Sequence, residues 1–448
     1  MKKAIFLVLS LAMAAGLSAC RTDSHVPAAQ STGKAAASRA DAHDLRYLQV
    51  GDENGRYGFV SRNGYSLLCY IDYASASDTA LCAQPSCPHN SESCTAYLSG
   101  NWILSALYAL DDRSMAFIVT PGGEADGGAI LYMADSDGAN RRKLFQADAG
   151  QDFWELTCAD DQYLYLPIQT ESVTRMCRVP LAGGEAEPVF DCSDSQILGV
   201  SGRELLCRAS RYEEAETAQA PEFPEDASQE ELNRLNHAYL ASCTITNRLY
   251  LHNIDDGSER ELDFWTSSMD GDDRALLWQD GRLYWCDTGW NRLPSSLHWM
   301  TTDGQTGEIS VAWPEALRQE VENDPSETAG VTRLEAITEN HALLRISGRQ
   351  NQQYRYAVDL TDGSAAEIPL LYESNGKEQP VSLLGRSADS FLVEMEMQME
   401  EVTYIQKDGT PTTNGAAAGR YSLISFADFL AGTPAYQEIN TQYIETLW

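Results

Sequence analysis

Basic residues are scarce in this chain. Its 448 residues include 32 lysines and arginines against 66 aspartates and glutamates, so the formal net charge is −34 at pH 7. A field of this sign repels polyanions. The composition therefore excludes nucleic acid as a partner and excludes electrostatic attachment to an anionic membrane surface. It favours basic or cation-bearing ligands.

Motifs of the common enzyme classes are also missing. The sequence contains no H-E-x-x-H, no G-x-S-x-G, no Walker A segment and no G-x-G-x-x-G between a strand and a helix. Its seven histidines are scattered, and its carboxylates are so numerous that no glycosidase-like pair stands out. This favours a binding protein over an enzyme. The alternative is an envelope enzyme acting on polysaccharide, a hydrolase or lyase with its site in a central funnel.

Apolar runs of transmembrane length, about 20 residues, are absent as well. A shorter run at residues 4–15 follows Lys2 and Lys3 and precedes Leu17-Ser18-Ala19-Cys20. This pattern predicts a signal peptide over residues 1–19. Small residues directly before a cysteine resemble a bacterial lipobox, which implies acylation of Cys20. We therefore expect an exported protein, held on the cell membrane by lipid and facing the extracellular or periplasmic side.

The rest of the chain divides into a tether and one folded domain. Residues 20–44 begin with the lipidated cysteine and are then small and polar, without apolar periodicity, which is typical of a flexible tether. Residues 45–448 are poor in helix signals. They contain many short apolar segments separated by Asp-Gly and Gly-Gly, the residues that tight hairpin turns prefer.

One strand-turn-strand unit recurs seven times in this domain. The copies begin at Cys69, Leu131, Cys177, Leu249, Leu297, Tyr356 and Tyr421. Repeats of this kind predict an all-β fold, a single β-propeller with seven four-stranded blades, six or eight being alternatives. The copy at residues 131–145 resembles the TolB-type, WD40-like propeller repeat. Closure of the ring predicts that residues 45–82 lie beside residues 420–442.

Three segments depart from the strand pattern and predict short helical insertions. The largest spans residues 211–242 and contains a capping box, Ser228-Gln-Glu-Glu231. A second is Pro314-Glu-Ala-Leu-Arg-Gln-Glu320, with proline at a favourable first position. The third covers residues 426–430 behind Ser425. Long insertions between strands are where propellers commonly bind their ligands.

The densest chemistry lies in the pattern C-x4-C-x-H-x4-C, formed by Cys82, Cys87, His89 and Cys94. Three thiols and an imidazole match the ligand set of a structural zinc. Four protein ligands leave no position for substrate, so a catalytic metal is not expected. In an exported chain the same cysteines are equally well explained as disulfides or as inert buried thiols. A thiol or metal sensor is a third alternative.

Disulfide partners can be proposed from hairpin spacing. Cys69 and Cys82 lie on two strands of one predicted hairpin. Cys158 and Cys177, or Cys192 and Cys207, have similar separations.

The block from Leu81 to His89, followed by Cys94-Thr-Ala-Tyr, resembles a segment of an uncharacterised family of β-propeller lipoproteins from gut Gram-positive bacteria. In that family the block also follows the first blade of a lipobox-bearing chain. The resemblance implies the fold and the location, and no activity. Taken together, the sequence predicts a lipid-anchored envelope propeller that binds a protein or glycan ligand.

Overall fold

Strands dominate the structure. The computed structural model describes residues 44–62, 65–99, 102–111, 113–121, 128–214, 235, 239, 243–268, 273–324, 329–330, 332–374, 377–405 and 411–443. Within these ranges the chain forms 31 strands and only short helices. No helix in this part of the chain combines the length and the apolar character that a membrane span requires.

Seven antiparallel sheets follow one another along the chain, and each is one blade. The chain enters through the two-residue strand β1 (Arg46–Tyr47). Blade 1 contains β2 (Gly55–Arg62), β3 (Tyr65–Asp72), β4 (Ser77–Ala80) and β5 (Tyr97–Ser99). Blade 2 contains β6 (Trp102–Asp111), β7 (Ser114–Pro121), β8 (Ile130–Asp135) and β9 (Arg142–Gln146). Blade 3 contains β10 (Cys158–Ala159), β11 (Tyr163–Gln169), β12 (Thr174–Pro180) and β13 (Glu187–Asp191), with β1 paired to β10.

The second half of the ring repeats this plan. Blade 4 contains β14 (Ser195–Ser201), β15 (Glu204–Glu214), β16 (Cys243–Asn253) and β17 (Glu259–Ser268). Blade 5 contains β18 (Asp273–Gln279), β19 (Arg282–Thr288), β20 (Ser296–Thr301) and β21 (Thr306–Ser310). Blade 6 contains β22 (Thr332–Thr338), β23 (His341–Ser347), β24 (Gln353–Asp359) and β25 (Ala365–Glu367). After the hairpin β26 (Leu371–Ser374) and β27 (Lys377–Pro380), blade 7 contains β28 (Ser382–Arg386), β29 (Ser390–Ile405), β30 (Pro411–Ser425) and β31 (Gln437–Glu438).

The first strands of neighbouring blades meet around the centre of the ring. β2 contacts both β6 and β28, and β18 contacts both β14 and β22. The predicted all-β, seven-bladed propeller is therefore confirmed, and six and eight blades are wrong. Six of the seven predicted repeats correspond to the third and fourth strands of a blade, from β8–β9 to β30–β31. The first repeat corresponds to β3 and β4.

Strand alternation explains how each blade packs on two neighbours. Successive side chains of a strand point to opposite faces of its sheet. In β7, Met115, Phe117 and Val119 enter the core between blades 1 and 2. The intervening Ala116 and Ile118 enter the core between blades 2 and 3. A strand that is buried on both faces has a continuous apolar sequence, and the molecule has a core in each interblade layer instead of a single centre.

Both ends of the described chain lie against the ring. The Leu45 amide donates to the Gly202 carbonyl of blade 4, and the Leu48 amide donates to the Thr157 carbonyl beside blade 3. At the other end, β31 completes blade 7 and the chain then crosses to blade 1. There Asn440 pairs with Ser77 in a parallel bridge. This contact confirms the predicted proximity of residues 45–82 and 420–442.

Two of the three predicted helices are confirmed. Helix α1 (Glu315–Glu322) begins after Pro314 and buries Leu317 and Val321. Helix α2 (Phe426–Leu430) is capped by Ser425, whose hydroxyl accepts the amide of Asp428 at 3.0 Å.

The third predicted insertion, residues 211–242, begins later than predicted. β15 continues to Glu214 and β16 resumes at Cys243, because residues 211–214 pair in register with β16. Most of the remaining insertion lies outside the described residues, and within it Leu235 and Tyr239 are helical.

Blade 6 contains a buried ionic cluster, formed by Glu335, Arg345 and Arg355. The Glu335 carboxylate lies 2.7 Å from Nε of each arginine. Arg355 also donates to the carbonyl of Val381 at 2.7 Å. The side chains of Glu335 and Arg355 are 4% and 0% exposed. This cluster keeps its charges inside the protein because both signs are present.

Candidate metal centre

An interrupted strand in blade 1 creates the loop that carries the cysteine block. β4 pairs with residues 69–72 of β3, and β5 pairs with residues 65–67 of the same strand. Leu68 lies between the two pairings. Its carbonyl accepts the amide of Leu81, and its amide donates to the carbonyl of Ala96, each at 2.9 Å. Residues 82–95, here called the cysteine loop, therefore leave the blade and rejoin it at one point.

The four residues of the C-x4-C-x-H-x4-C pattern converge within this loop. The Sγ atoms of Cys82, Cys87 and Cys94 and a ring nitrogen of His89 all lie within 4.8 Å of one another. Nδ1 of His89 is 3.1 Å from Sγ of Cys94. A tetrahedral zinc with bonds near 2.0–2.3 Å keeps its ligand atoms about 3.5–3.8 Å apart. The cluster could hold a metal ion with only small adjustments.

Tight turns bring the ligands together. The amide of Cys87 donates to the Gln84 carbonyl at 3.3 Å, and the amide of Cys94 donates to the Ser91 carbonyl at 2.9 Å. His89 itself has a positive φ of 52°. This left-handed conformation is uncommon for a residue with a Cβ atom and is found where the surroundings impose it, often at functional sites.

The thiols of the loop differ in acidity. Burial raises the pKa of Cys82, but hydrogen bonds with Gln84 and Thr95 outweigh this effect and lower that pKa to about 7. Burial raises the pKa of Cys94 to about 12, and the neighbouring Cys82 and Cys87 contribute to the increase. A bound divalent cation would remove the mutual repulsion of the thiolates, since it attracts all of them.

Blade 2 supports one side of the cysteine loop. The Thr95 hydroxyl donates to the carbonyl of Asp137 at 2.7 Å. The Arg141 guanidinium donates to the carbonyls of Thr95 and Tyr97. Gly138 is required in this contact: its φ is +76°, and a Cβ atom there would lie 2.6 Å from the Thr95 carbonyl oxygen.

A cleft gives solvent access to the cluster from the same side. It has a volume of about 330 Å³ and lies between the cysteine loop and the turn at residues 138–141 of blade 2. Glu92, Cys94 and Asn140 are among the residues that line it. Cys82 and Cys87 are partly exposed. Of the four candidate ligands, Cys94 is the one that lines this cleft.

The C-terminal segment supports the other side. The rings of His89 and Tyr443 meet edge to face, with centroids 5.6 Å apart and an interplanar angle of 89°. The Asp78 carboxylate accepts the amides of Gln442 and Tyr443 at 2.6 and 2.8 Å. Asp78 and Tyr443 carry no recognisable motif, and 365 positions separate them, so sequence analysis did not find this contact.

The remaining described cysteines lie in a different environment. Cys158, Cys207 and Cys286 are each 0% exposed, and burial raises the pKa of all three. No disulfide joins the cysteines that the structure describes. The disulfide pairs considered from the sequence are therefore absent from this structure, and Cys158, Cys207 and Cys286 behave as small apolar core residues.

In the described part of the chain, no second group of histidine, cysteine and carboxylate side chains lies close enough together to hold a metal. His252 stacks on Phe190 with ring centroids 3.9 Å apart, and His298 stacks on Trp285 at 5.3 Å. Stacked rings of this kind serve packing. Cys20, the predicted site of lipidation, lies outside the described residues.

Comparisons with known proteins give no family. No family model matches the chain, and no curated protein does. Several solved structures are similar at low sequence identity. A puromycin-hydrolyzing peptidase from Mycobacterium tuberculosis has a TM-score of 0.45 and 10% identity, over 94% of this chain and 57% of the peptidase. An oligogalacturonate lyase from Vibrio parahaemolyticus has a TM-score of 0.39 and 10% identity, over 89% of this chain and 86% of the lyase.

TolB from Acinetobacter baumannii is also similar, with a TM-score of 0.35 and 9% identity over 87% of this chain and 80% of TolB. The chain spans little more than half the length of the peptidases it matches. No functional residue is transferred at these levels of similarity, and the fold assignment rests on the seven blades themselves.

Proposed function

We propose that the cysteine loop is a structural zinc site in a lipid-anchored β-propeller that binds a protein or glycan ligand at the cell envelope. The proposal of a zinc site rests on one observation: Cys82, Cys87, His89 and Cys94 place four ligand atoms within 4.8 Å of one another. These four side chains, all of types that bind metals, lie within thirteen residues of one loop. Together they would form a complete coordination shell.

The donor set favours zinc over other common ions. Calcium and magnesium prefer oxygen ligands, whereas thiolates and imidazole suit zinc. Three sulfur ligands and one nitrogen ligand fill a tetrahedral shell and leave no open position. The site is therefore structural, and its function is to stabilise the cysteine loop.

Metal analysis of the full chain, purified without oxygen, tests the zinc site. We expect about one equivalent of zinc per chain. The Cys87→Ser variant should lose that zinc. The matched control is Cys286→Ser, which removes a buried thiol from blade 5 and should retain the metal. Zinc well below one equivalent, together with a disulfide at Cys82 or Cys87 in the native protein, would overturn the proposal.

The proposed binding function is supported by the lack of the common catalytic motifs in the sequence. Glycan arrays and turnover assays on envelope polysaccharides separate the two functional classes. We expect saturable binding of a glycan or a protein without turnover. Reproducible cleavage of any polysaccharide would reject the binding proposal and favour the hydrolase or lyase alternative.

The lipid anchor is supported by the signal-peptide pattern that ends at Cys20. The net charge of −34 also supports it. Many peripheral proteins attach to the membrane through a basic surface, and in a chain this acidic a lipid would provide that attachment instead. Detergent partitioning of cells that produce the full chain tests it. Wild-type protein and the control Cys82→Ser should enter the detergent phase, and Cys20→Ser should stay in the aqueous phase. Aqueous partitioning of the wild type would reject the anchor.

A further inference from the structure

The segment that closes the ring is held by few backbone hydrogen bonds. β31 pairs with β30 through only two residue pairs, Ser422–Glu438 and Leu423–Gln437. The chain then crosses to blade 1, where Asn440 exchanges hydrogen bonds with Ala76 and Asp78 at 2.9 and 3.2 Å. The Ile439 amide also donates to the Tyr421 carbonyl at 2.8 Å, and blades 7 and 1 meet through β2 and β28 and through a shared apolar core. Residues 440–443 add side-chain contacts to this seam.

Those side-chain contacts converge on the cysteine loop. Asp78 anchors the amides of Gln442 and Tyr443, and the same strand, β4, leads directly to Cys82. Tyr443, like Cys82 and Cys87, packs against the core of blade 1. Its ring also meets the edge of His89. The segment thus contacts both the strand that enters the cluster and one of the four ligands.

The orientation of His89 connects this seam to the metal. The Nδ1 atom of His89 points to Cys94, so coordination through Nδ1 would fix the plane of the ring against which Tyr443 packs. Without a metal, the loop is stabilised by turn hydrogen bonds and by its contacts with blade 2. The His89 ring is then held by its hydrogen bond with Cys94 and by its contact with Tyr443.

We infer that the metal acts as a clasp for the C-terminal segment: when it binds the four ligands, it stabilises residues 439–443 on blade 1, at the seam between blades 7 and 1. The inference rests on the proposed zinc site. Because coupling between two sites is reciprocal, docking of residues 439–443 on blade 1 must also raise the affinity for zinc by the same factor. Residues that hold this segment but do not contact the metal should therefore affect the zinc Kd.

Zinc affinity measured by competition with a chromophoric chelator tests the coupling in the full chain. Asp78→Asn and Tyr443→Ala leave all four ligands in place. Each should raise the zinc Kd by about 5-fold or more, the usual range of coupling between sites. Tyr443→Phe keeps the ring that contacts His89 and should retain most of the affinity. The matched control is Asp362→Asn, which alters a carboxylate that accepts the amide of Ser364 in a blade 6 turn.

Hydrogen exchange provides the second measurement and needs no variant. Removal of zinc should accelerate exchange in peptides that cover residues 437–443 and leave those that cover β16 and β19 unchanged. If zinc binds but the Kd and the exchange at residues 437–443 do not respond, the clasp is overturned and the zinc site stands. If no zinc binds, both proposals fail.

Discussion

The cysteine loop of blade 1 and the Glu335 cluster of blade 6 both gather ionisable side chains, but they differ in the charges that the chain provides. In blade 6, Glu335 lies between Arg345 and Arg355, so a buried anion has one buried and one partly exposed cation beside it. In the cysteine loop the four converging side chains are all electron-pair donors. The first cluster contains charges of both signs within the chain, whereas the second contains only groups that could bind a cation.

The largest expected effect comes from breaking the complete cluster. Glu335→Ala leaves Arg355 buried without its carboxylate, so we expect a loss of about 3–5 kcal/mol in the free energy of unfolding. Urea denaturation of the full chain measures it. Glu335→Gln keeps the volume and a hydrogen-bond acceptor and should lose less. Zinc content should not change in either variant that remains folded. A loss under 1 kcal/mol for Glu335→Ala would show that blade 6 does not depend on this charge.

Acidification should separate the two clusters. Burial raises the pKa of Glu335, but Arg355 and Arg345 outweigh burial and hold it below its ordinary value of 4.5. For an acid with a lowered folded-state pKa, the stabilisation is complete above the unfolded pKa and disappears as the pH falls through the folded pKa. The blade 6 cluster should therefore persist at pH 5.

Zinc should leave earlier, because protons compete with the metal for thiolates and imidazole. Zinc release and intrinsic fluorescence, followed together from pH 7 to pH 3, measure the two events. We expect release of zinc to begin at a higher pH than unfolding. Coincident transitions would contradict the prediction and would indicate that the metal is required for the whole fold.

Thiol labelling sharpens the contrast between the loop and the other cysteines. Cys82 and Cys87 are partly exposed, whereas Cys158, Cys207 and Cys286 are fully buried. In metal-free native protein, iodoacetamide should therefore modify Cys82 and Cys87 first, and added zinc should slow that reaction at least 10-fold by occupying the thiolates. Peptide mass spectrometry identifies the labelled residues. Equal labelling of Cys286 would show that the native core opens on the same timescale.

Features that depend on interactions between residues close in sequence could be predicted, and features that depend on distant residues could not. The blade count could be predicted because each repeat is a local hairpin with its own turn residues, such as Asp137-Gly138 in blade 2. The four candidate ligands could be found because they lie within thirteen residues. The residues that contact that loop from elsewhere in the chain could not be predicted. Tyr443 meets His89 only after seven blades close the ring, and nothing local to Tyr443 indicates that contact.

The Glu335 cluster was missed for a related reason. Glu335, Arg345 and Arg355 lie on three successive strands, and charged residues in strands ordinarily face solvent. Glu335 sits where the register of β22 shifts between Leu334 and Ala336. Such a bulge changes the direction of a side chain relative to simple alternation. The alternation that explains the packing of β7 therefore gives no indication that Glu335 is buried.

The smallest expected effect comes from an exposed ion pair, which separates the contribution of burial from that of charge. Arg178 and Glu187 form an ion pair at 2.7 Å between β12 and β13, with side chains 40% and 53% exposed. The distance equals that of the Glu335 pairs, but water screens these charges and the pair gains little over solvation. We expect Glu187→Ala to lower the free energy of unfolding by about 0–1 kcal/mol in the same urea experiment. A cost equal to that of Glu335→Ala would mean that the ion-pair distance, and not burial, determines how much these carboxylates stabilise the propeller.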